Sequence, residues 1–105
     1  MKAVTPLTIV AVCTAAPGQE NSLRAAQEKL VAETVKESGC LRYELHQSVQ
    51  DPRMLIFIES WATDEQWQAH MQGKAIKRFH ASGASNLLVD FSLLRMNLVA
   101  DGDPL

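Results

Sequence analysis

Residues 54–61, MLIFIESW, make up the most apolar run in the chain, and one of them is a carboxylate. The run has the length of a strand rather than of a helix. Apolar residues at both parities describe a strand in the middle of a sheet, covered on both faces. A carboxylate seldom enters such a place unpaired, so any fold of this chain must accommodate Glu59. The expected partner is an arginine, Arg42 or Arg95, or a group across a subunit interface. Glu59 is also available to orient a histidine or to act as a base. Just upstream, residues 40–49 alternate, with Leu41, Tyr43 and Leu45 on one face and Arg42, Glu44 and His46 on the other. That is the period of a strand with one dry face. Between the two runs lies Gln50-Asp51-Pro52-Arg53, which carries turn chemistry. Residues 39–61 are therefore read as a β-hairpin.

The flanking segments fall into place around it. Residues 8–14 are rich in β-branched side chains and alternate as a strand does. Met1-Lys2 and the apolar stretch ending in Thr14-Ala15-Ala16 have the outline of a short secretory signal, but Thr5, Pro6 and Thr8 interrupt it. Removing the segment would also cost a small fold a whole element, so the strand reading is preferred. Pro17-Gly18 punctuates, and a helix follows to about Lys36 with Leu23, Ala26, Leu30, Val31, Thr34 and Val35 as its apolar stripe. Gly39 is expected to form its left-handed C-terminal cap. Thr63 with Gln66 three residues on is a capping-box pattern. The helix it opens turns Trp67, His70 and Met71 toward the sheet. Gly73 breaks that helix, and a short one over residues 74–81 presents Ile76, Phe79 and His80. A loop over 82–86 leads to a last strand over 89–99.

The order strand, helix, strand, strand, helices, strand predicts an α+β, ferredoxin-like βαββαβ fold with a four-stranded antiparallel sheet. It spans residues 8–99 as one domain, with 1–7 and 100–105 as terminal extensions. Helices cover one face of the sheet. The apolar character of the other face calls for a second copy of the chain, a homodimer. At 105 residues the chain can bury a core without staples. A net charge of −2 with no basic run argues against a nucleic-acid partner. No apolar stretch is long enough for a membrane helix. Cys13 and Cys40 lack a CxxC spacing and read as reduced thiols, which places the protein in the cytoplasm.

Several pieces together carry a family likeness: Pro17-Gly18, the run GCLRYEL at 39–45, Asp51-Pro52, Glu59-Ser60-Trp61 and Trp67-Gln68-Ala69-His70. In these the chain resembles the antibiotic biosynthesis monooxygenase domain, from about Thr8 to Val99. The resemblance implies a dimeric α/β barrel of two ferredoxin-like units, with a pocket between sheet and helices. It also implies oxidation of quinols or polyphenols by dioxygen without metal or flavin. Some relatives isomerise small phosphorylated carbonyl compounds, and others degrade haem. Two departures stand out. A second histidine common five residues after the position of His70 is Ala75 here, and a serine common two residues before that one is Gly73. His80 approximates the haem ligand of the haem-degrading branch, but that branch's accompanying asparagine and tryptophan positions hold Ala11 and His70 here, so haem is set aside.

Cofactor-free oxygenation asks for a base near neutral pKa and a cavity that excludes water. His70 is the first candidate base, with Glu59 as the second catalytic candidate. Tyr43, Trp61, Trp67, Phe79 and His80 are candidate substrate-binding residues, although each aromatic is equally at home in a core. His46 is expected in solvent. No metal-ligand spacing, phosphate loop or nucleophile elbow is visible, so the expected cofactor is none. The function read from the chain is oxidation of a quinol or related electron-rich aromatic by dioxygen. The alternatives are isomerisation of a small carbonyl compound in the same pocket, or non-catalytic binding of an apolar ligand by the dimer.

Overall fold

The computed structural model describes residues 6–102. Four strands, β1 (Leu7–Ala15), β2 (Cys40–Gln47), β3 (Met54–Trp61) and β4 (Leu88–Asn97), form one antiparallel sheet in the order β2-β3-β1-β4. Three helices, α1 (Glu20–Thr34), α2 (Asp64–Met71) and α3 (Lys74–Ala81), are joined to β4 by a 3₁₀ turn, Ala84–Leu87. This is the ferredoxin-like α+β arrangement. The first strand of the chain lies at the sheet's centre. No helix among the described residues is long and apolar enough to cross a membrane.

Strand periodicity divides the sheet into two unlike faces. Ile9, Ala11 and Cys13 of β1 and Leu55, Phe57, Glu59 and Trp61 of β3 are buried toward the helices. Their neighbours Val10, Val12, Ile56 and Ile58 point the other way and are only half-buried, and Leu94 and Met96 of β4 on that side are exposed. The hairpin forms as its turn chemistry requires. The Ser48 hydroxyl accepts from the Gln50 and Asp51 N–H groups, and the Arg53 N–H donates to the Asp51 carboxylate. The first arm stops at Gln47 rather than Val49, which is fully exposed.

Two expectations are corrected. Leu41 does not share a face with Tyr43, because the β2–β3 register shifts between Cys40 and Arg42. Cys40 pairs with Trp61 and Arg42 with Ser60, so Leu41 is the extra residue of a bulge and is 59% exposed. Gly39 does not cap α1 directly. The helix ends at Thr34, and Gly39, with φ of 82°, closes the bend that follows. A side chain there would also strike Gln66, whose amide N–H donates to the Ser38 hydroxyl. The bend is thereby drawn against α2.

At α2 the Thr63 hydroxyl accepts the Gln66 N–H at 3.1 Å, a cap worth about 1 kcal/mol. Gly73 separates α2 from α3, and any Cβ there would crowd the Ala69 and His70 carbonyls.

Candidate active site

A cavity of about 510 Å³ lies between the inner face of the sheet and the helices. Ala11, Cys13, Tyr43, Phe57 and Glu59 form its floor. Gln27 and Leu30 of α1, His70 and Met71 of α2, and Ile76 and Phe79 of α3 form its roof. Ala11 makes room for it, since a larger side chain at the centre of the sheet would fill the space. Residues 88–91 and His80 bound the cavity where β4 and the end of α3 meet solvent.

His70 is 3% exposed. It lies fourth in the chain from Trp67 counting both ends, so the two share the sheet-facing side of α2. The imidazole is wedged between aromatic rings, with Trp61 at 4.8 Å and Tyr43 at 5.3 Å between centroids. Its Nδ1 meets Glu37 Oε1 at 2.8 Å. A carboxylate can only accept, so Nδ1 carries the proton and Nε2 keeps its lone pair. Burial lowers the pKa of His70, and the Glu37 carboxylate opposes that only in part. The ring is therefore neutral at pH 7 and able to take a proton. Glu37 is itself part-exposed, in a shallow outer cleft shared with Glu33, Lys74 and Arg78. His70 lines that cleft as well as the cavity, so it stands between the two.

Glu59 is 4% exposed, and its expected arginine partners are engaged elsewhere. Arg42 pairs with Glu44 at 2.9 Å on the outer face. Arg95 pairs with Asp64 and stacks over the Trp67 ring at 5.1 Å. The partner of Glu59 is the indole two residues along its own strand: Trp61 Nε1–H donates to Glu59 Oε1 at 2.9 Å. One neutral donor does not replace lost hydration, and burial pushes the Glu59 carboxyl up to about 7, against the smaller opposing effect of the Trp61 bond. Near neutral pH the cavity thus holds a neutral imidazole and a carboxyl poised to carry a proton. Tyr43 remains a phenol, since burial and the nearby Glu59 raise its pKa further.

Of the other candidates, Phe79 lines the cavity and His80 stands exposed at its edge. Trp61 and Trp67 are core residues that do not line it; Trp61 acts on it through Glu59. His46 is exposed beside Glu44 at 3.0 Å. Both thiols are free, and burial pushes that of Cys13 up to about 11.

Sequence reasoning missed Glu37 and Gln27. Glu37 carries no local signal, because its role depends on how α1 ends. Gln27 carries one, since Leu23, Gln27, Leu30 and Thr34 are the buried stripe of α1 at helical spacing.

The sequence profile described as antibiotic biosynthesis monooxygenase matches residues 6–82. The chain belongs to this family. Among solved structures, Pseudomonas aeruginosa PA3566 is 34% identical, with 95% of this chain and 100% of that one aligned at a TM-score of 0.87. Shewanella oneidensis SO0527 is 26% identical over 90% of this chain and 91% of its own, at a TM-score of 0.83. A structure described as an antibiotic biosynthesis monooxygenase aligns over 90% of this chain and 99% of its own, at 23% identity and a TM-score of 0.82, and shows the shared fold. No curated protein matches the chain.

Proposed function

We propose that the protein is a cofactor-independent monooxygenase that oxidises a quinol or related electron-rich aromatic with dioxygen. The observation that carries this reading is a buried, neutral His70, held by Glu37 on one side and lining an apolar cavity on the other. Nε2 takes the proton of a substrate hydroxyl, and Glu37 stabilises the imidazolium that forms. The phenolate passes one electron to dioxygen, and superoxide and the semiquinone radical recombine as a ring hydroperoxide. Loss of water then leaves a carbonyl at that carbon. One oxygen atom enters the product, the other leaves as water, and the substrate supplies all the electrons. Glu59, protonated near its raised pKa, is placed to return a proton to the departing oxygen. Phe57, Leu30, Ile76 and Phe79 keep the cavity apolar, which holds water from the radical pair.

The lining has carboxylates at Glu59 and Asp90 and no lysine or arginine among the described residues, which favours an uncharged aromatic over a phosphorylated carbonyl compound. The half-buried apolar outer face supports a homodimer formed sheet to sheet. The two free thiols agree with a reducing cytoplasm.

The test is oxygen uptake with a panel of hydroquinones in metal-free buffer, comparing the wild type with His70→Ala. Loss of the base lowers turnover by about a hundredfold while the melting temperature shows a folded protein. Wild-type turnover in the variant overturns the role of His70. Absence of turnover by the wild type with every hydroquinone overturns the oxygenase reading.

A further inference from the structure

Among the described residues, four buried polar side-chain atoms lack any hydrogen-bond partner, on Glu20, Gln27, Thr34 and Trp67. Only Gln27 also lines the cavity. It is 1% exposed, and its unpartnered atom is the acceptor Oε1. Gln27 of α1 and Cys13 of the floor both line this part of the site. An acceptor so buried lacks only a donor.

Glu59 is paired with Ile9, and Cys13 follows Ile9 by four positions on β1. At about 3.3 Å per residue the two polar ends of the floor lie about 13 Å apart along the strand. Between them the floor is Ala11 and Phe57. A ligand with an aromatic middle and a hydroxyl at each end matches that order of polar, apolar and polar lining.

We propose that Gln27 Oε1 is the acceptor for a second, remote hydroxyl of the ligand, so that the cavity selects dihydroxy aromatics over monophenols. The inference deepens the oxygenase reading in that it names which quinols fit the site, and it concerns binding rather than turnover. Gln27 positions the far end of the ligand while the near hydroxyl is delivered to His70. A monophenol of the same shape leaves Oε1 buried and unpaired, which costs affinity.

The experiment is anaerobic calorimetry with naphthalene-2,6-diol and 2-naphthol, on the wild type and on Gln27→Leu. The wild type binds the diol about tenfold tighter than the mono-ol, or about 1.4 kcal/mol. In Gln27→Leu that preference vanishes while 2-naphthol binds at least as well as to the wild type. Leucine is close in volume and removes a buried unpaired acceptor, so the variant keeps or raises the melting temperature, which a thermal melt confirms. A diol preference unchanged in the variant, no preference in the wild type, or no binding of either compound overturns the proposal. Normal diol preference without oxygen uptake sustains the subsite and overturns only the oxygenase reading.

Discussion

The two faces of the sheet share four strands and one register, yet they solve opposite problems. The inner face carries polar groups inside an apolar layer and holds each in a particular way: Trp61 donates to Glu59, and Glu37 steadies His70. The outer face is simpler. Val10, Val12, Ile56, Ile58, Leu94 and Met96 present an apolar strip, flanked on the β2 edge by the Arg42–Glu44–His46 cluster. The difference teaches that the polar groups of the inner face depend on particular partners, one two residues away and one 33 away, whereas the outer face offers only apolar area. A side chain on the inner face is poised by one or two neighbours. A side chain on the outer face matters as one part of a patch.

The largest effect is expected where the outer patch is broken. Ile58→Lys lies opposite Val10 at the centre of the strip. Across the interface of the proposed sheet-to-sheet dimer it would bury two unpaired charges, and that dimer is expected to weaken by about a thousandfold, or about 4 kcal/mol. Sedimentation at micromolar concentration reads this as a shift to monomer with an unchanged circular dichroism spectrum. An unshifted dimer would move the interface elsewhere.

The inner face is sharpened by pH. The folded pKa of Glu59, about 7, lies above its ordinary value of 4.5, so the native state holds the proton more tightly than the unfolded chain does. Its contribution is full below pH 4.5 and is lost as pH rises toward 7. At about 1.4 kcal/mol per pKa unit the loss is about 3 kcal/mol. Glu59→Gln keeps an acceptor for the Trp61 N–H and removes the charge. Relative to wild type, the variant is expected to gain stability progressively from pH 5 to 8 in denaturant titrations. A constant difference across that range would contradict the burial argument. His70 slopes the other way. Its folded pKa is depressed, so its contribution is complete above 6.5 and is lost as pH falls.

A smaller effect separates the charge of Glu37 from its hydrogen bond. Glu37→Gln still accepts from His70 Nδ1–H but no longer stabilises the imidazolium. Turnover is expected to fall about tenfold, near the lower end of acid–base effects. The acidic limb of the kcat/KM profile is expected to move to lower pH, since the carboxylate raises the His70 pKa. An unmoved limb would show that Glu37 only positions the ring.

Local signals in the sequence marked the elements well. The Thr63 cap, the Gly73 break, the turn at Asp51-Pro52 and the alternation of residues 8–14 each act within a few positions, and each is found in the structure. The Leu41 bulge was not legible, because an inserted residue leaves the apolar alternation around it intact. The partner of Glu59 was legible in principle, since residues two apart on a strand share a face and Trp61 is the nearest donor there. The Glu37–His70 contact joins residues 33 apart and depends on the bend that Gly39 closes, so no local pattern announces it.

The central place of β1 also has a kinetic meaning. Its ladder to β3 joins residue 7 to residue 61, but its ladder to β4 joins residue 7 to residue 97. The longer loop has the higher closure entropy. A chain emerging from the ribosome can complete the hairpin and lay β3 on β1 long before β4 exists. Leu88, Phe91 and Leu93, which bound one side of the cavity, arrive only with that last strand. The cavity is therefore completed only with the last strand, and the rest of the sheet can pair before it is closed.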